Sequence, residues 1–365
     1  PRAYVRTLLA GSPEWAQGHL LYGLELFHNN GPWQIPENYR KLNGVLRYSQ
    51  GSRFDGISLT GMAYQGKWKS TDQIAERAIG SGQVDRFGTL DPTTGGSTYR
   101  YSLSGEWARR GDNSQSKINA WGLTSALELW SNFEYCRSDF AATASCTVGD
   151  QFKQAERRQA GGLSASHTVH DTWAGLEVSS TVGVQTRFYR LAPVGLYKTN
   201  ARTVWSTVRE DQVLQRSLST WVQNDIRWSS WFRSVAGLRA DAYAFAVASS
   251  LSANSGKAND QMLSPKLSLI FGPWRKTELY LNYGHGFHSN DARGTTITVD
   301  PNDPSVAVAK VKPLVRTHGL EAGLRSEILP GWQSTLSLWQ LNSVSELLFV
   351  GDAGTWQVLF FRSIG

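Results

Sequence analysis

The chain has 365 residues, a formal net charge of +7 with a pI near 9.4, and is 40% hydrophobic with a mean hydropathy of −0.35. No stretch approaches the roughly 18 consecutive apolar residues of a spanning helix. This excludes a helical membrane protein but not a β-barrel, whose alternating strands halve the apolar signal. Lys and Arg gather into no single stripe and alternate with acids, which argues against nucleic acid as a partner. The basic balance suits a lumen or loop rim that meets anionic ligands or an anionic surface glycolipid.

Taken in chain order, the predicted elements are strands. Leu20, Tyr22, Leu24 and Leu26 oppose Glu25; later, Ala174 to Phe188 sets Ala174, Leu176, Val178, Val182, Val184 and Phe188 against Glu177, Gln185 and Arg187. In 232–246, Phe232, Ala236, Leu238 and Ala240 oppose Arg233, Arg239, Asp241 and Tyr243, and in 314–326 Leu320, Ala322 and Leu324 oppose Thr317, Glu321 and Arg325. Successive side chains of a strand point to opposite faces, so each segment has one apolar and one polar face. The charged positions Glu177, Arg187, Arg239, Asp241, Glu321 and Arg325 are then expected on a lumen wall, held by partners or water.

The connections alternate. Short links fall at Ala10–Gly18, Gln50–Arg53, Arg109–Asn113, His170–Thr172, Ser229–Ser230, Gly272–Arg275 and Leu329–Gly331. Long ones fall between them, at Asn29–Asn38, Gly66–Ser97, Arg137–Phe152, Leu191–Asp211, Ala248–Met262 and Phe287–Pro313. A meander with tight turns at one end and long loops at the other is the pattern of an up-and-down transmembrane β-barrel. The fold class expected is therefore all-β, an antiparallel transmembrane barrel of about 15 strands, incomplete as a larger barrel. A soluble all-β domain with one wet face per sheet competes with this, but it gives no reason for the loops to sort.

Aromatic residues mark the short turns: Trp15, Phe54, Trp107, Trp173, Trp228, Trp231, Phe232, Trp274 and Trp332 sit at or beside them. Amphipathic rings prefer the headgroup level, so these read as a girdle, with ordinary packing as the alternative for some. Cys136 and Cys146 border one long loop. A disulfide suits an oxidising exterior; free thiols or a metal pair are the other readings, and no histidine nearby supports a zinc site.

Catalytic signals are weak, and no enzyme is expected. Gly162-Leu163-Ser164-Ala165-Ser166 misses the G-x-S-x-G elbow, His167 and His170 fall on opposite strand faces, and no phosphate loop, dinucleotide fingerprint or metalloprotease helix occurs. No cofactor or metal is expected.

The stretch from Leu263-Ser264-Pro265-Lys266 through Tyr280-Leu281-Asn282-Tyr283-Gly284-His285-Gly286-Phe287-His288-Ser289-Asn290-Asp291-Ala292-Arg293-Gly294 resembles the barrel signature of TonB-dependent outer-membrane receptors. Further segments resembling that family in order are Pro36 to Lys41, Gly237-Leu238-Arg239-Ala240-Asp241, and Glu321-Ala322-Gly323-Leu324-Arg325 leading to 345–354. The resemblance implies an outer-membrane barrel of about 22 strands around a plug. It also implies a small-molecule ligand, such as a metal chelate or vitamin, taken at the extracellular loops, and energy from TonB through the plug.

On this reading residues 1–354 are a partial receptor barrel and 355–365 an atypical tail. No plug, signal peptide or TonB box is visible before the barrel. An unclosed sheet leaves unpaired backbone edges that are costly in lipid, so the 365-residue chain by itself is expected not to form a transport-competent pore. Outer-membrane lipid is the surrounding partner, and the bacterial outer membrane the expected location.

Ligand contacts are expected in the loop after the Tyr283 strand, from His285, His288, Asn290, Asp291 and Arg293; imidazole and carboxylate can ligate iron or copper. The competing reading makes Asn290 shape the strand end and pairs Asp291 with Arg293 locally. The loop 66–97, with Asp72, Asp85, Arg86 and Asp91, is long enough to reach over the mouth. Three functions remain open: an energised receptor-transporter, a passive porin or receptor remnant, and a membrane-embedded enzyme lacking any visible nucleophile and base.

Overall fold

The computed structural model describes residues 3–349 and 358–361. After β1 (Val5–Gly11) and the two-residue β2 (Glu14–Trp15) come β3 (Gly18–Asn29), β4 (Tyr39–Gly51), β5 (Gly56–Lys69), β6 (Gly95–Arg110) and β7 (Ser114–Ser131). They are followed by β8 (Phe152–Trp173), β9 (Leu176–Asn200), β10 (Thr203–Arg227), β11 (Phe232–Ser249) and β12 (Gly256–Trp274), then β13 (Thr277–Ser289), β14 (Leu314–Ser326) and β15 (Ser334–Ser343). Together they form one 15-stranded antiparallel sheet in which β1 pairs with β3 and every later strand with its sequence neighbour; β2 pairs only with β3. The sheet does not close on itself among the described residues: β1 and β15 stand at its two ends. Three short helices, α1 (Glu76–Gly80), α2 (Arg137–Thr143) and α3 (Ala292–Thr296), lie in long connections, and no helix is long and apolar enough to cross a membrane.

Beyond the main sheet, β16 (Glu346–Phe349) pairs with β17 (Val358–Phe361). Residues 350–357 and 362–365 lie outside the described residues, and with them most of the segment 345–354 and of the tail expected at 355–365.

Alternation places the side chains. α3 packs on one face of β10 to β12, where Ala292 meets Val213, Phe245 and Val247, so these odd-numbered positions define the inner face. The opposite face of the same strands presents Leu218, Val222 and Leu238, each at least 42% exposed. The outer face continues through Leu42, Leu46, Leu59, Leu103, Leu163, Val182, Leu263, Leu281 and Leu320, all exposed. An exposed apolar belt of this extent is not a solvated surface. Gly183 on the inner face is required by close approach: a Cβ there would lie 2.1 Å from the ring of Trp221, which lies flat on the wall.

The two ends differ. At one end the strands turn tightly, with Trp15, Trp173, Trp228, Trp231, Trp274 and Trp332 exposed around the turns and Trp231 stacked on Trp274 at 6.2 Å. At the other end lie the long connections.

Several loops expected there are shorter. β9 and β10 run 25 residues each and meet through Ala201 and Arg202, so 191–211 is no loop but a strand hairpin. Register shifts at Val204/Ser206, Thr207/Arg209 and Asp211/Val213 break the period of two there, which hid the strands from pattern reading. β12 begins at Gly256, so the connection expected to reach Met262 ends earlier. β13 continues to Ser289, paired with Leu314, which makes His285 and His288 strand residues and leaves a loop at 290–313.

Candidate functional site

The loop end of the inner wall carries a cluster of charges. Glu156 and Arg158 on β8 pair at 2.9 Å, Arg209 and Asp211 on β10 at 2.5 Å, and Asp291 and Arg293 at the start of α3 at 2.7 Å. Sequence reasoning missed the first four because they lie in or beside the bulged β8–β10 region. Their cue is the i, i+2 spacing of opposite charges, which shares a face only once the segment is known to be strand.

The Asp211 side chain is fully buried, and neither of its oxygens finds an aligned hydrogen bond among the described residues; the same holds for Arg158 Nε and for Arg209 Nε and Nη2. Charges removed from water without full hydrogen bonding are costly. Burial opposes ionisation of Asp291, but hydrogen bonds and charge from Arg293 outweigh it and hold the carboxyl below its ordinary 3.8.

Of the sequence-predicted ligand residues, the structure brings Asp291 and Arg293 together. The Asp291 side chain caps α3 by accepting from the Arg293 N–H at 2.8 Å and chelates the guanidinium from two sides. Asn290 closes the neck of the loop, its amide donating to Lys312 O at 2.8 Å. His288 lies on β13 opposite Val315. His285 is apart from them: its Nε2 sits 2.9 Å from the hydroxyl of Tyr283, an exposed ring, and its Nδ1 3.0 Å from Arg316.

Lower on the wall, five of the six charges expected at the lumen meet a charged or polar side chain. Asp241 accepts from Ser219 at 2.6 Å and pairs with Arg239, which also donates to Gln185. Glu321 accepts from Ser337 and Asn282 at 2.6 and 3.0 Å, Arg325 pairs with Glu278, and Glu177 lies 3.6 Å from Arg227. Arg187 stands beside Ser217 in register.

Above the cluster, three connections are tied into one rim. Asp91 accepts from Asn132 at 2.9 Å and from Gln151 at 2.8 Å, while Gln151 Oε1 accepts from Thr199 and from the Arg202 N–H. Arg202, at the tip of the β9–β10 hairpin, also donates to the carbonyl oxygens of Thr93 and Thr94 and lies over the ring of Trp130 at 4.7 Å. Burial works against the Asp91 carboxylate, yet hydrogen bonds from Thr93, Asn132 and Gln151 hold it below 3.8. Burial, with the charge of Asp91, raises its neighbour Asp72, and burial pushes the Tyr135 phenol up to about 12.

These shifts have opposite signs in pH. A depressed carboxyl stabilises above its unfolded value and loses that contribution as pH falls through its folded value; a raised one gains as it protonates. Acidification below pH 3.8 is therefore expected to loosen the rim through Asp91, whereas the opposite contribution of Asp72 is complete above that value. Protection from hydrogen exchange across residues 132–151, taken relative to the unfolded chain at each pH, should fall over that range in the wild type and stay level below 3.8 in Asp91→Asn.

Cys136 and Cys146 form a disulfide with a sequence separation of 10. Asp139 lies within 4.8 Å of both sulfurs, but they are bonded to each other and the Asp139 carboxylate accepts from the N–H groups of Thr147, Val148 and Gly149 at 2.7 to 2.9 Å. That triad organises a loop and offers a metal no free ligand set. Reduction, or Cys136→Ser with Cys146→Ser, is expected to cost that loop about 2–3 kcal/mol of order. Trypsin cleavage at Arg137 should accelerate accordingly; an unchanged cutting rate would show that hydrogen bonds alone hold the loop.

The family model described as TonB dependent receptor-like, beta-barrel matches residues 21–361. No curated protein sequence matches the chain. Among solved structures, the ferric citrate transporter FecA in its unliganded form superposes with a TM-score of 0.69 at 10% identity, covering 92% of this chain and 48% of that one. The alcaligin receptor FauA of Bordetella pertussis gives 0.63 at 10% identity, covering 97% and 53%. The ferric-catecholate import receptor Fiu of E. coli K12, closed form, gives 0.64 at 10%, covering 98% and 58%. The chain thus spans about half the length of these proteins, and at such identities the likeness is one of fold.

Proposed function

Because the chain belongs to the family of TonB-dependent receptor-like β-barrels, we propose that it is wall from an outer-membrane receptor that takes up a scarce ligand, of the metal-chelate or vitamin class, with energy from TonB. The loop end is the extracellular mouth and the turn end, with its tryptophans, the periplasmic rim. The observation that carries this reading is the charged cluster on the inner wall beneath the tied loops. A passive pore needs only hydrated wall charges, whereas incompletely bonded buried charges such as Arg209 and Asp211 call for polar surface from something seated in the bore.

The solved structures named for ferric citrate, alcaligin and ferric catecholate make an anionic iron chelate the first ligand class to test. In our reading Asp291, Arg293, His288 and Asn290 lie at the ligand's entry, and His285, engaged with Tyr283 and Arg316, does not contact it.

The test is uptake of radiolabelled ferric chelates by cells that lack their own receptors and express this protein in its native gene context. Uptake that saturates, and that collapses with an uncoupler or without TonB, supports the receptor. Leakage of unrelated small solutes that is indifferent to both would establish a porin instead.

A further inference from the structure

The wall parts between β12 and β13. Their ladder ends at Lys266 opposite Gly284, although β12 stays paired with β11 as far as Gly256 and β13 with β14 as far as Ser289. Counted from the turn, Lys266 stands eight residues above Trp274 and Gly284 seven above Thr277. Seven or eight residues of strand tilted by about 45° climb roughly 16–19 Å, short of the full apolar band of about 25 Å. The two strands thus separate at membrane depth, where irregular backbone is tolerated only against protein or a water-filled bore.

Three contacts show where the freed arm goes. Phe287 faces outward on β13, in phase with Leu281, and Tyr243 faces inward on β11, yet their rings meet edge to face at 5.8 Å. Arg316, outward on β14, donates to the Leu263 carbonyl of β12 at 3.2 Å and to His285 Nδ1 at 3.0 Å. The inward Asp260 of β12 accepts from the Leu314 N–H at 3.2 Å. The outer side of the β13–β14 arm therefore lies across the inner side of β12, as one shingle on another. Leu314 and Val315 point to opposite faces and are each 2% exposed, so the arm is covered on both sides.

The residues at the joint suit two arrangements. Pro265, the first residue of β12 past the last pair, brings no N–H that would need a partner, and Arg316 gives β14 a hold on β12 without a ladder. Continued past Gly284, the same register sets Leu263 opposite Phe287 and Gln261 opposite Ser289, which replaces the side-chain contacts by backbone pairing.

We infer that the upper arm of β13 and β14 is a flap with two seats, lapped inside the bore or zipped to β12, and that Arg316 is the positioning residue that holds it in the lapped seat. His288, Asn290, Asp291 and Arg293 ride on this arm or on α3 at its end. The latch therefore sets the place of the ligand entry, a role that rests on the receptor reading above. Moving to the zipped seat draws α3 off Val213, Phe245 and Val247 and takes Asp291 and Arg293 away from Arg209 and Asp211.

The test is disulfide cross-linking with diamide in membranes of cells that express the protein in its native gene context. Tyr243→Cys with Phe287→Cys reports the lapped seat and Leu263→Cys with Phe287→Cys the zipped seat. Leu269→Cys with Leu281→Cys, register partners below the joint, reports the intact ladder. The lapped pair should close at least about tenfold faster than the zipped pair. A hydrogen bond to a charged group shifts such an equilibrium about tenfold or more. Arg316→Ala should accordingly narrow the ratio at least about tenfold, and Arg316→Lys, which keeps a charged donor, should restore most of it, while the 269–281 pair closes alike in all three backgrounds. Cross-linking reads the joint whether or not the chain transports, so the receptor reading can fail in the uptake test while this one stands. A lapped pair that stays open while the 269–281 pair closes, a zipped pair that never forms even in Arg316→Ala, or a ratio indifferent to Arg316→Ala would each overturn the proposal.

Discussion

Replacing Leu238 with arginine is expected to cost about 2–4 kcal/mol of folded stability in a bilayer. Leu238 lies six residues above the start of β11 at Phe232, near the middle of the apolar band, between Val222 and Pro265 in register. A guanidinium there has no water and no partner, and its stem is too far from either interface to reach one cheaply. The paired control is Gln223→Arg, one strand away but facing inward opposite Gly237, where the bore offers water and carboxylates. Equilibrium folding in phosphatidylcholine vesicles should separate the two by more than tenfold in the folded-to-unfolded ratio. A larger cost for Gln223→Arg than for Leu238→Arg would mean that the faces have been assigned the wrong way round, and equal costs that neither face meets lipid.

The second large effect is on the inside. Phe245 is 2% exposed and, with Val213 and Val247, forms the small apolar platform on which Ala292 of α3 rests. Truncation to alanine removes a ring and leaves a cavity, at a typical cost of about 3–5 kcal/mol. Because a single-layer wall has little other core here, that loss is expected to fall on the α3 contact rather than on the sheet, whose backbone pairing is untouched. The measurement is limited proteolysis at Lys310 and Lys312, which should become fast in Phe245→Ala while the strands remain protected. Phe188→Ala, which removes an outward ring, should leave those sites as they were. Should the variant instead unfold as a whole, α3 and the sheet would be one cooperative unit.

Much of the wall was legible in the sequence because its physics is local. Wherever alternation runs unbroken, as in Ala174 to Phe188 or Leu314 to Ser326, each residue's face follows from its parity, and Arg239, Asp241 and Glu321 could be assigned inward without coordinates. Legibility ended where parity slips. Each bulge between Leu191 and Asp211 shifts the count by one residue, so a polar and an apolar face exchange labels and the strand reads as loop. Arg209 and Asp211, the most deeply buried charge pair of the cluster, disappeared from view for that reason. The rim was hidden differently. Asn132, Gln151 and Arg202 are ordinary polar residues in sequence, and only the meeting of three connections separated by up to 109 positions makes them a network. His285 shows the converse: a histidine beside a loop attracts a ligand role, but pairing of β13 to Ser289 puts it one strand residue from Gly284 and within reach of Tyr283 and Arg316.

The β9–β10 hairpin, described above as 25 residues on each side, also has a mechanical meaning. Its β9 arm stays paired with β8 as far as Lys198, whereas the pairing of its β10 arm with β11 ends at Asp211, so the upper ribbon is a plate held along one edge and free along the other. Arg202 changes the boundary condition. By bonding to Thr93, Thr94 and Gln151 it pins the tip to two neighbouring connections, and the plate is held at its end as well as along its β8 side. A load on the rim is then carried down the unsupported β10 arm to the bulges at Thr207/Arg209 and Asp211/Val213, where the ladder is interrupted beside the charges of the inner wall.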